Sequence, residues 1–169
     1  MKPGTTIIFI ILISLQISYG QDTTAVINTA WTNLKTQLQR RTDIIGNLTN
    51  ILSTSTKVDK EQLNNSRAFS IDLLKYVDTL SFKDSLSISL ANDKNNRLTQ
   101  ALTRTLATLE NDRKLKSDNQ LQALLIQLEG CENRIVLTKR AYNEACKEYK
   151  RTDLLFGADK MEKAAEVKF

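Results

Sequence analysis

The spacing of apolar residues between positions 27 and 52 limits the fold of this chain more strictly than any other feature. They recur at alternating intervals of four and three, which is the heptad pattern of packed α-helices and not the alternate-residue pattern of a strand. One proline and five glycines among 169 residues leave long helices almost uninterrupted. The stripe consists of Ile27, Trp31, Leu34, Leu38, Arg41, Ile45, Leu48 and Leu52.

Similar stripes further along the chain predict three more helices. Asp59 is placed to cap the second helix, with Gln62 completing a capping box. Ser117 opens the fourth in the same way, and Gly157 is a stop signal after it. The predicted helices span residues 22–56, 60–80, 93–114 and 117–155.

The serine-rich segment SFKDSLSISLAND, residues 81–93, is harder to interpret. Leu86, Ile88 and Leu90 alternate with serine, as in a strand, but the sequence offers no partner strand. We therefore predict a long connection or a helical turn here. An extended coiled-coil oligomer would show the same stripes, but the breaks near 57, 81–92 and 115 favour a chain that folds back on itself. The predicted fold is all-α, an antiparallel up-and-down four-helix bundle with long first and last helices, forming one domain over residues 21–169.

The first 20 residues have the pattern of an export signal. A lysine at position 2 precedes an apolar run from Ile7 to Ile13, and Ser18 and Gly20 are the small residues expected before a cut at Gln21. Residues 1–20 are thus predicted to be a cleaved signal peptide. The alternative is an uncleaved membrane anchor formed by residues 5–20, although polar residues interrupt the apolar run early. Both interpretations place the rest of the chain outside the cytoplasm, in the periplasm or beyond it.

The chain has no histidine, and this excludes several kinds of chemistry. Ser-His-Asp and Cys-His nucleophiles, and most zinc and haem sites, require that side chain. We expect no catalytic residue, no cofactor and no metal site. Cys131 and Cys146 would lie roughly 22 Å apart on one helix, beyond disulfide reach. We expect two buried apolar side chains, with an intermolecular disulfide as the alternative.

The formal net charge is +5, from 24 basic and 19 acidic residues spread along the chain. Nucleic-acid binders concentrate basic residues on one face and add aromatic side chains for stacking. Neither feature is visible, so no nucleic-acid partner is expected. A mild positive charge is compatible with loose attraction to anionic lipid, and membrane association through the N-terminal segment is the other expectation.

The positions of the first and last predicted helices give a testable register. If they run antiparallel, residue 133 lies opposite Arg41 and residue 143 lies opposite Trp31, within a few residues. We therefore predict that Arg41 meets Glu132, since these two charges interrupt the apolar stripes, and that Trp31 stacks near Tyr142. The alternative is that both charged side chains extend past the interface to water.

Two long motifs resemble the LemA family. The run WTNLKTQLQRRTDIIGNLTNIL (31–52) is similar to a family helix with a QLxRRxDLIPNLV-like pattern, and ENRIVLTKRAYNEACKEY (132–149) is similar to an ENRI…RRAYNxAVxxYN-like pattern. Weaker similarity occurs at NNSRA (64–68) and in the closing EVKF, whereas Gly46 stands where the family commonly has proline. The candidate interaction residues from these motifs are Trp31, Arg40, Arg41, Asp43, Asn47, Glu132, Asn133, Arg134, Arg140, Tyr142, Asn143 and Tyr149.

The resemblance implies a helical bundle outside the cytoplasmic membrane and no particular reaction. We therefore expect a non-enzymatic binding or scaffolding protein of the cell envelope, whose partner is another envelope protein. A secreted helical protein that self-assembles through its stripes is the alternative. An enzyme using carboxylates alone is the third interpretation, but the stripes contain a single acidic residue, Glu132.

Overall fold

A computed structural model gives the backbone of residues 3–80 and 84–157 and the side-chain surroundings of residues 24–80, 84–109 and 112–157. All regular structure within these ranges is helical. The two 3₁₀ turns are Thr108–Asn111 and Thr152–Leu154. The α-helices are α1 (Pro3–Leu52), α2 (Lys60–Thr79), α3 (Ser85–Ala107), the single-turn α4 (Arg113–Lys116) and α5 (Asn119–Glu148).

An aspartate begins each helix after α1. Asp59 accepts hydrogen bonds from the backbone N–H groups of the first turn of α2, and Asp84 does the same for α3. Asp112 caps α4 and Asp118 caps α5. Each carboxylate satisfies N–H groups that have no partner inside the helix, so four separate caps fix where the helices begin.

The helices pack in antiparallel pairs. α1 packs against both α5 and α2, and α2 packs against α3, whereas α3 and α5 approach each other less closely. The predicted stripe on α1 is buried throughout, with Leu34, Leu38, Ile45, Leu48 and Leu52 fully inaccessible to water. The core therefore follows the heptad pattern of the sequence.

Several predicted boundaries are wrong. Helix α3 begins at Ser85, not at residue 93, because Asp84 caps it and Ile88 and Ala91 turn inward while Leu86 and Leu90 stay exposed. The segment predicted to be a connection is therefore mostly helix. Helix α3 also ends at Ala107 instead of residue 114, and α5 ends at Glu148 instead of residue 155. Asp118 caps α5, one residue after the predicted cap.

The predictions for the chain ends fall mainly on residues whose side chains are not described. Residues 1–23, which include the predicted signal peptide or anchor, lie outside the side-chain ranges, as do residues 158–169. Helix α1 itself begins at Pro3, about 20 residues before its predicted start. Among the described residues, no helix has the length and apolar character needed to cross a membrane.

Candidate functional site

Among the residues whose side chains are described, Arg41 is the largest that is fully buried, with 1% of its surface exposed. It comes from α1 and contacts two other helices. Its Nε lies 2.7 Å from Oε1 of Glu132 on α5. Nη1 donates to Oδ1 of Asn95 at 2.7 Å, and Nη2 donates to Oγ1 of Thr99 at 3.0 Å. The guanidinium group therefore connects α1 with both α3 and α5, two helices that do not pack closely on each other.

The ion pair is asymmetric in its exposure to water. The Arg41 side chain is 2% exposed and the Glu132 side chain is 40% exposed. Burial lowers the pKa of Arg41, and the negative charge of Glu132 opposes that shift. The Nε–H bond is not directed at the carboxylate oxygen, so the contact is an ion pair without an aligned hydrogen bond. The buried cation is thus stabilised by one charge and two neutral acceptors.

A cluster of three aromatic rings lies further along the same helices. The ring centroids of Trp31 and Tyr142 are 5.5 Å apart at an interplanar angle of 59°, a tilted contact. Phe156 also packs against Trp31, with the ring centroids 6.2 Å apart at an interplanar angle of 48°. The Tyr142 hydroxyl donates to the carbonyl of Leu154 at 2.9 Å, and burial raises the pKa of that hydroxyl. Both predicted α1–α5 contacts, Arg41 with Glu132 and Trp31 with Tyr142, are confirmed.

Residues 151–157 form a C-terminal strap that returns along α5. The turn before the strap is a Schellman motif, in which Arg151 N–H donates to the carbonyl of Cys146 at 2.7 Å and Lys150 N–H to that of Lys147 at 3.0 Å. Lys150 adopts φ 57°, a left-handed conformation that normally favours glycine. The resulting reversal directs the chain back towards the aromatic cluster.

Asn143 holds the strap in place with its side-chain amide. Its Nδ2 donates to the carbonyl of Phe156 at 3.1 Å, and its Oδ1 accepts from the Phe156 N–H at 2.9 Å. Within the strap, the side chains of Leu154 and Phe156 are buried. Asn143 was a candidate interaction residue, and within the described residues its side chain binds the chain's own backbone.

The other candidate residues make no hydrogen bond, ion pair or ring contact with Arg41 or the aromatic cluster in the described part of the chain. Arg40, Asp43, Asn47, Asn133, Arg134 and Arg140 are exposed, and Tyr149 is half-buried against the core. Arg140 pairs with Glu144 one helical turn along α5. The structure therefore brings together Trp31, Tyr142 and Asn143, and separately Arg41 and Glu132.

Asp43 and Asn47 line an open groove of about 520 Å³ between α1 and α2. Its wall on α2 includes Ile71, which is 48% exposed. Arg67 crosses the groove, and its Nη2 donates to Oδ1 of Asn50 at 2.7 Å. A second open groove, of about 450 Å³, lies on the surface where α1 and α5 meet and is lined mainly by small side chains. Its lining consists of Ala25, Val26, Thr29, Ala30, Asn33, Thr138, Ala141 and Ala145.

Both cysteines are buried, as predicted, and they form no disulfide with each other. Burial raises the pKa of each thiol. The Cys131 Sγ lies 3.5 Å from the carbonyl oxygen of Gln37, to which it donates. Neither thiol has the exposure or the thiolate character of a reactive cysteine. Among the residues with described side chains, no group of three acidic or cysteine side chains is placed to hold a metal ion.

Sequence reasoning missed four residues that complete the site: Asn95, Thr99, Leu154 and Phe156. Asn95 and Thr99 lie one helical turn apart on α3, but polar residues at such positions are ordinary on an exposed face. Leu154 lay in the last turn of the predicted fourth helix, and Phe156 lay between that helix and its stop signal, Gly157. No sequence pattern indicates that the chain reverses at Lys150.

A family model described as LemA family matches residues 30–166. The matched range includes α1 from Ala30 onward, all the later helices and the strap. Comparison with curated proteins finds no match.

Proposed function

The chain belongs to the LemA family, and from that membership we propose that it is a non-enzymatic binding or scaffolding protein of the cell envelope. Its mature part would face outside the cytoplasm, and its partner would be another envelope protein. The N-terminal residues 1–20 would direct export, either as a cleaved signal or as a retained anchor formed by residues 5–20.

The exposed part of the α1 motif is the observation that supports this proposal. Arg40, Asp43 and Asn47 follow one another at intervals of three and four, so they share one face of α1. None of the three makes a side-chain hydrogen bond or ion pair with another described residue. These polar groups belong to the family motif and have no hydrogen-bond or ion-pair partner in the described part of the chain. They are therefore available to bind another protein.

The groove between α1 and α2 extends this face into a surface with mixed chemistry. Asp43 and Asn47 supply polar groups, and Ile71 adds an exposed apolar side chain. A partner segment with an apolar anchor and hydrogen-bonding groups would match this combination. The aspartate carboxylate favours a basic group on the partner.

We further propose that α1, α2, α3 and α5 close as an up-and-down four-helix bundle that holds this surface rigid. The antiparallel pairs α1–α5, α1–α2 and α2–α3 are compatible with that arrangement. Arg41 and the C-terminal strap would supply the fourth contact, between α3 and α5. A rigid scaffold reduces the entropy lost when a partner binds.

Site-specific photo-crosslinking in the native host tests the proposal. A photoreactive residue at Asn47 should give one reproducible protein adduct in the envelope fraction. The same residue at Gln100, an exposed position on α3, is the matched control. The adduct should disappear when Asp43→Arg is added. Equal labelling at the two positions, or no adduct at Asn47, would refute binding through this face.

Self-assembly is the second candidate, and the groove of small residues between α1 and α5 favours it. Small side chains allow the close approach of another helix, including one from a second copy. Light scattering of the purified protein distinguishes the two functions. Concentration-dependent oligomers that Ala141→Lys abolishes would favour self-assembly, and a monomer at high concentration would exclude it.

A further inference from the structure

Helices α3 and α5 are separated along one side of the molecule by a seam lined with polar side chains. On α5, Glu132, Val136, Lys139 and Asn143 follow one another at intervals of four, three and four, so they form one stripe. On α3 the facing stripe is Asn92, Asn95 and Thr99. We call the surface formed by these seven residues the α3–α5 seam. Arg41 lies beneath it and bonds to both walls.

The C-terminal strap already fills one half of the seam. Phe156 is bound by Asn143 and packed on Trp31, and Gly157 lies next to Asn92 and Lys139. From Tyr149 to Gly157 the chain therefore runs back along α5, from the level of residue 149 to the level of residue 139. Its direction at Gly157 points along the seam towards Glu132.

The other half of the seam is uncovered in the described part of the chain. Val136, in the middle of the α5 stripe, is 64% exposed, and the Glu132 side chain is 40% exposed. Leu125 lies seven residues before Glu132 and Leu106 lies seven after Thr99, and both are only half-buried. These apolar groups continue the seam beyond Arg41, where the strap would pass if it kept its course.

Twelve residues, ADKMEKAAEVKF, follow Gly157 in the sequence. The uncovered half extends about 27 Å along α5, from Lys139 to Leu121. Twelve extended residues reach at most about 40 Å, so their length is sufficient. Their chemistry also fits, because Met161, Val167 and Phe169 are apolar. The segment has three lysines and three acidic residues, so its charge is balanced, and Lys160 and Lys163 can pair individually with Glu129 and Glu132 on α5.

We propose that residues 158–169 dock in the uncovered half of the α3–α5 seam of their own chain. Docking continues an interface that the strap has already formed, and it covers Val136 and the exposed side of the Arg41–Glu132 pair. The family match extends to residue 166, so it includes most of this segment together with the helices. The seam then belongs to the interior of the protein, and the groove between α1 and α2 remains available to a partner.

Disulfide trapping in the full chain tests the docking. Met161 is the first large apolar residue after Gly157, and Met161→Cys is combined with Val136→Cys in one variant and Leu137→Cys in the other. Val136 and Leu137 are adjacent and almost equally exposed, at 64% and 66%. They differ by about 100° around α5, and only Val136 lies on the seam stripe. The buried native thiols should not react.

We expect the intramolecular disulfide to form at least tenfold faster with cysteine at position 136 than at position 137, as measured by peptide mapping after mild oxidation. A tail that does not dock reaches both positions from the same tether, so equal rates would refute the proposal. Disulfide-linked dimers as the main product would refute docking within the same chain. Adding Lys160→Glu and Lys163→Glu should reduce the preference for position 136, and an unchanged preference would contradict the proposed charge complementarity.

Discussion

Replacing Glu132 with leucine should destabilise the protein more than replacing Arg41, although both substitutions break the same pair. In Glu132→Leu the guanidinium group of Arg41 loses the carboxylate that faces it. The group stays buried, because only 2% of the Arg41 side chain is exposed, so water cannot replace the lost partner. Removing one partner of a fully buried pair costs about 3–5 kcal/mol. Glu132 is 40% exposed, so water already screens the pair, and we expect a smaller cost of about 2–3 kcal/mol.

Arg41→Leu removes the buried charge itself, and the remaining Glu132 carboxylate can be hydrated. Asn95 is half-buried and Thr99 is exposed, so both can replace their lost donor with water. We expect a cost of about 1 kcal/mol, and the double variant should be no less stable than Glu132→Leu alone. The coupling energy in the double-mutant cycle should then be at least about 1 kcal/mol.

Urea unfolding followed by circular dichroism at 222 nm gives the free energy of unfolding of the unaltered protein, the two single variants and the double variant. The comparison requires equal m-values for all four. The exposed pair Arg140–Glu144 on α5, with a distance of 2.9 Å, provides a control cycle with alanine substitutions. That pair should couple by about 0.3–0.5 kcal/mol and lose the coupling at high salt. If the Arg41 and Glu132 substitutions are additive within about 0.5 kcal/mol, the pair does not act as a unit and our reasoning is wrong.

Four further substitutions test the backbone and one buried carboxylate. Lys150→Gly should stabilise the protein by about 0.5–1 kcal/mol in urea unfolding, because glycine adopts the φ of 57° without strain; a loss of stability would show that the lysine side chain contributes more than the strain costs. Gly157→Ala should destabilise by at least about 1 kcal/mol, since φ is +58° and a Cβ would lie 2.6 Å from a side-chain oxygen of α3. Gly46→Ala, where a Cβ meets nothing within 4 Å, should be neutral or stabilising. The Ser55 hydroxyl donates to the Asp112 carboxylate at 2.5 Å and lowers the pKa of that carboxyl. The ionised Asp112 therefore stabilises the folded protein fully above a pH of about 4, and this contribution is lost as the pH falls through the lowered pKa of the folded state. Ser55→Ala should lose less stability than the unaltered protein when urea unfolding is repeated at pH 5 and pH 3, and equal losses would contradict this assignment.

The heptad pattern was sufficient to predict how α1 and α5 face each other. The register placed residue 133 opposite Arg41 and residue 143 opposite Trp31, and the observed partners are Glu132 and Tyr142. Helix rise is constant, so an error in one helix end shifts all the pairs together and does not scramble them. The antiparallel pairing of the long helices is therefore a property that the sequence can predict.

The helix ends that were predicted wrongly depend on contacts between distant parts of the chain. Asp112 caps α4, and it also accepts a hydrogen bond from Ser55, more than fifty residues earlier, so local propensity alone does not locate the end of α3. The end of α5 depends on a left-handed lysine, which burial of Phe156 against Trp31 can stabilise but no local signal indicates. The alternation of Leu86, Ile88 and Leu90 misled the prediction for α3 because two of these residues are exposed on a helix.

The buried arginine makes one register of the helices preferable to its neighbours. An apolar stripe with a heptad repeat can slide by seven residues and still bury leucine against leucine. After such a shift Arg41 would lose Asn95, Thr99 and Glu132 together, and a guanidinium group without partners is far more costly to bury than a mismatched leucine. Only one register satisfies both hydrogen bonds and the ion pair and also stacks Trp31 on Tyr142. An arginine at a position where leucine would pack therefore makes the helix alignment specific. The coupling in the double-mutant cycle should give the part of that specificity that comes from Glu132, to which the bonds with Asn95 and Thr99 add.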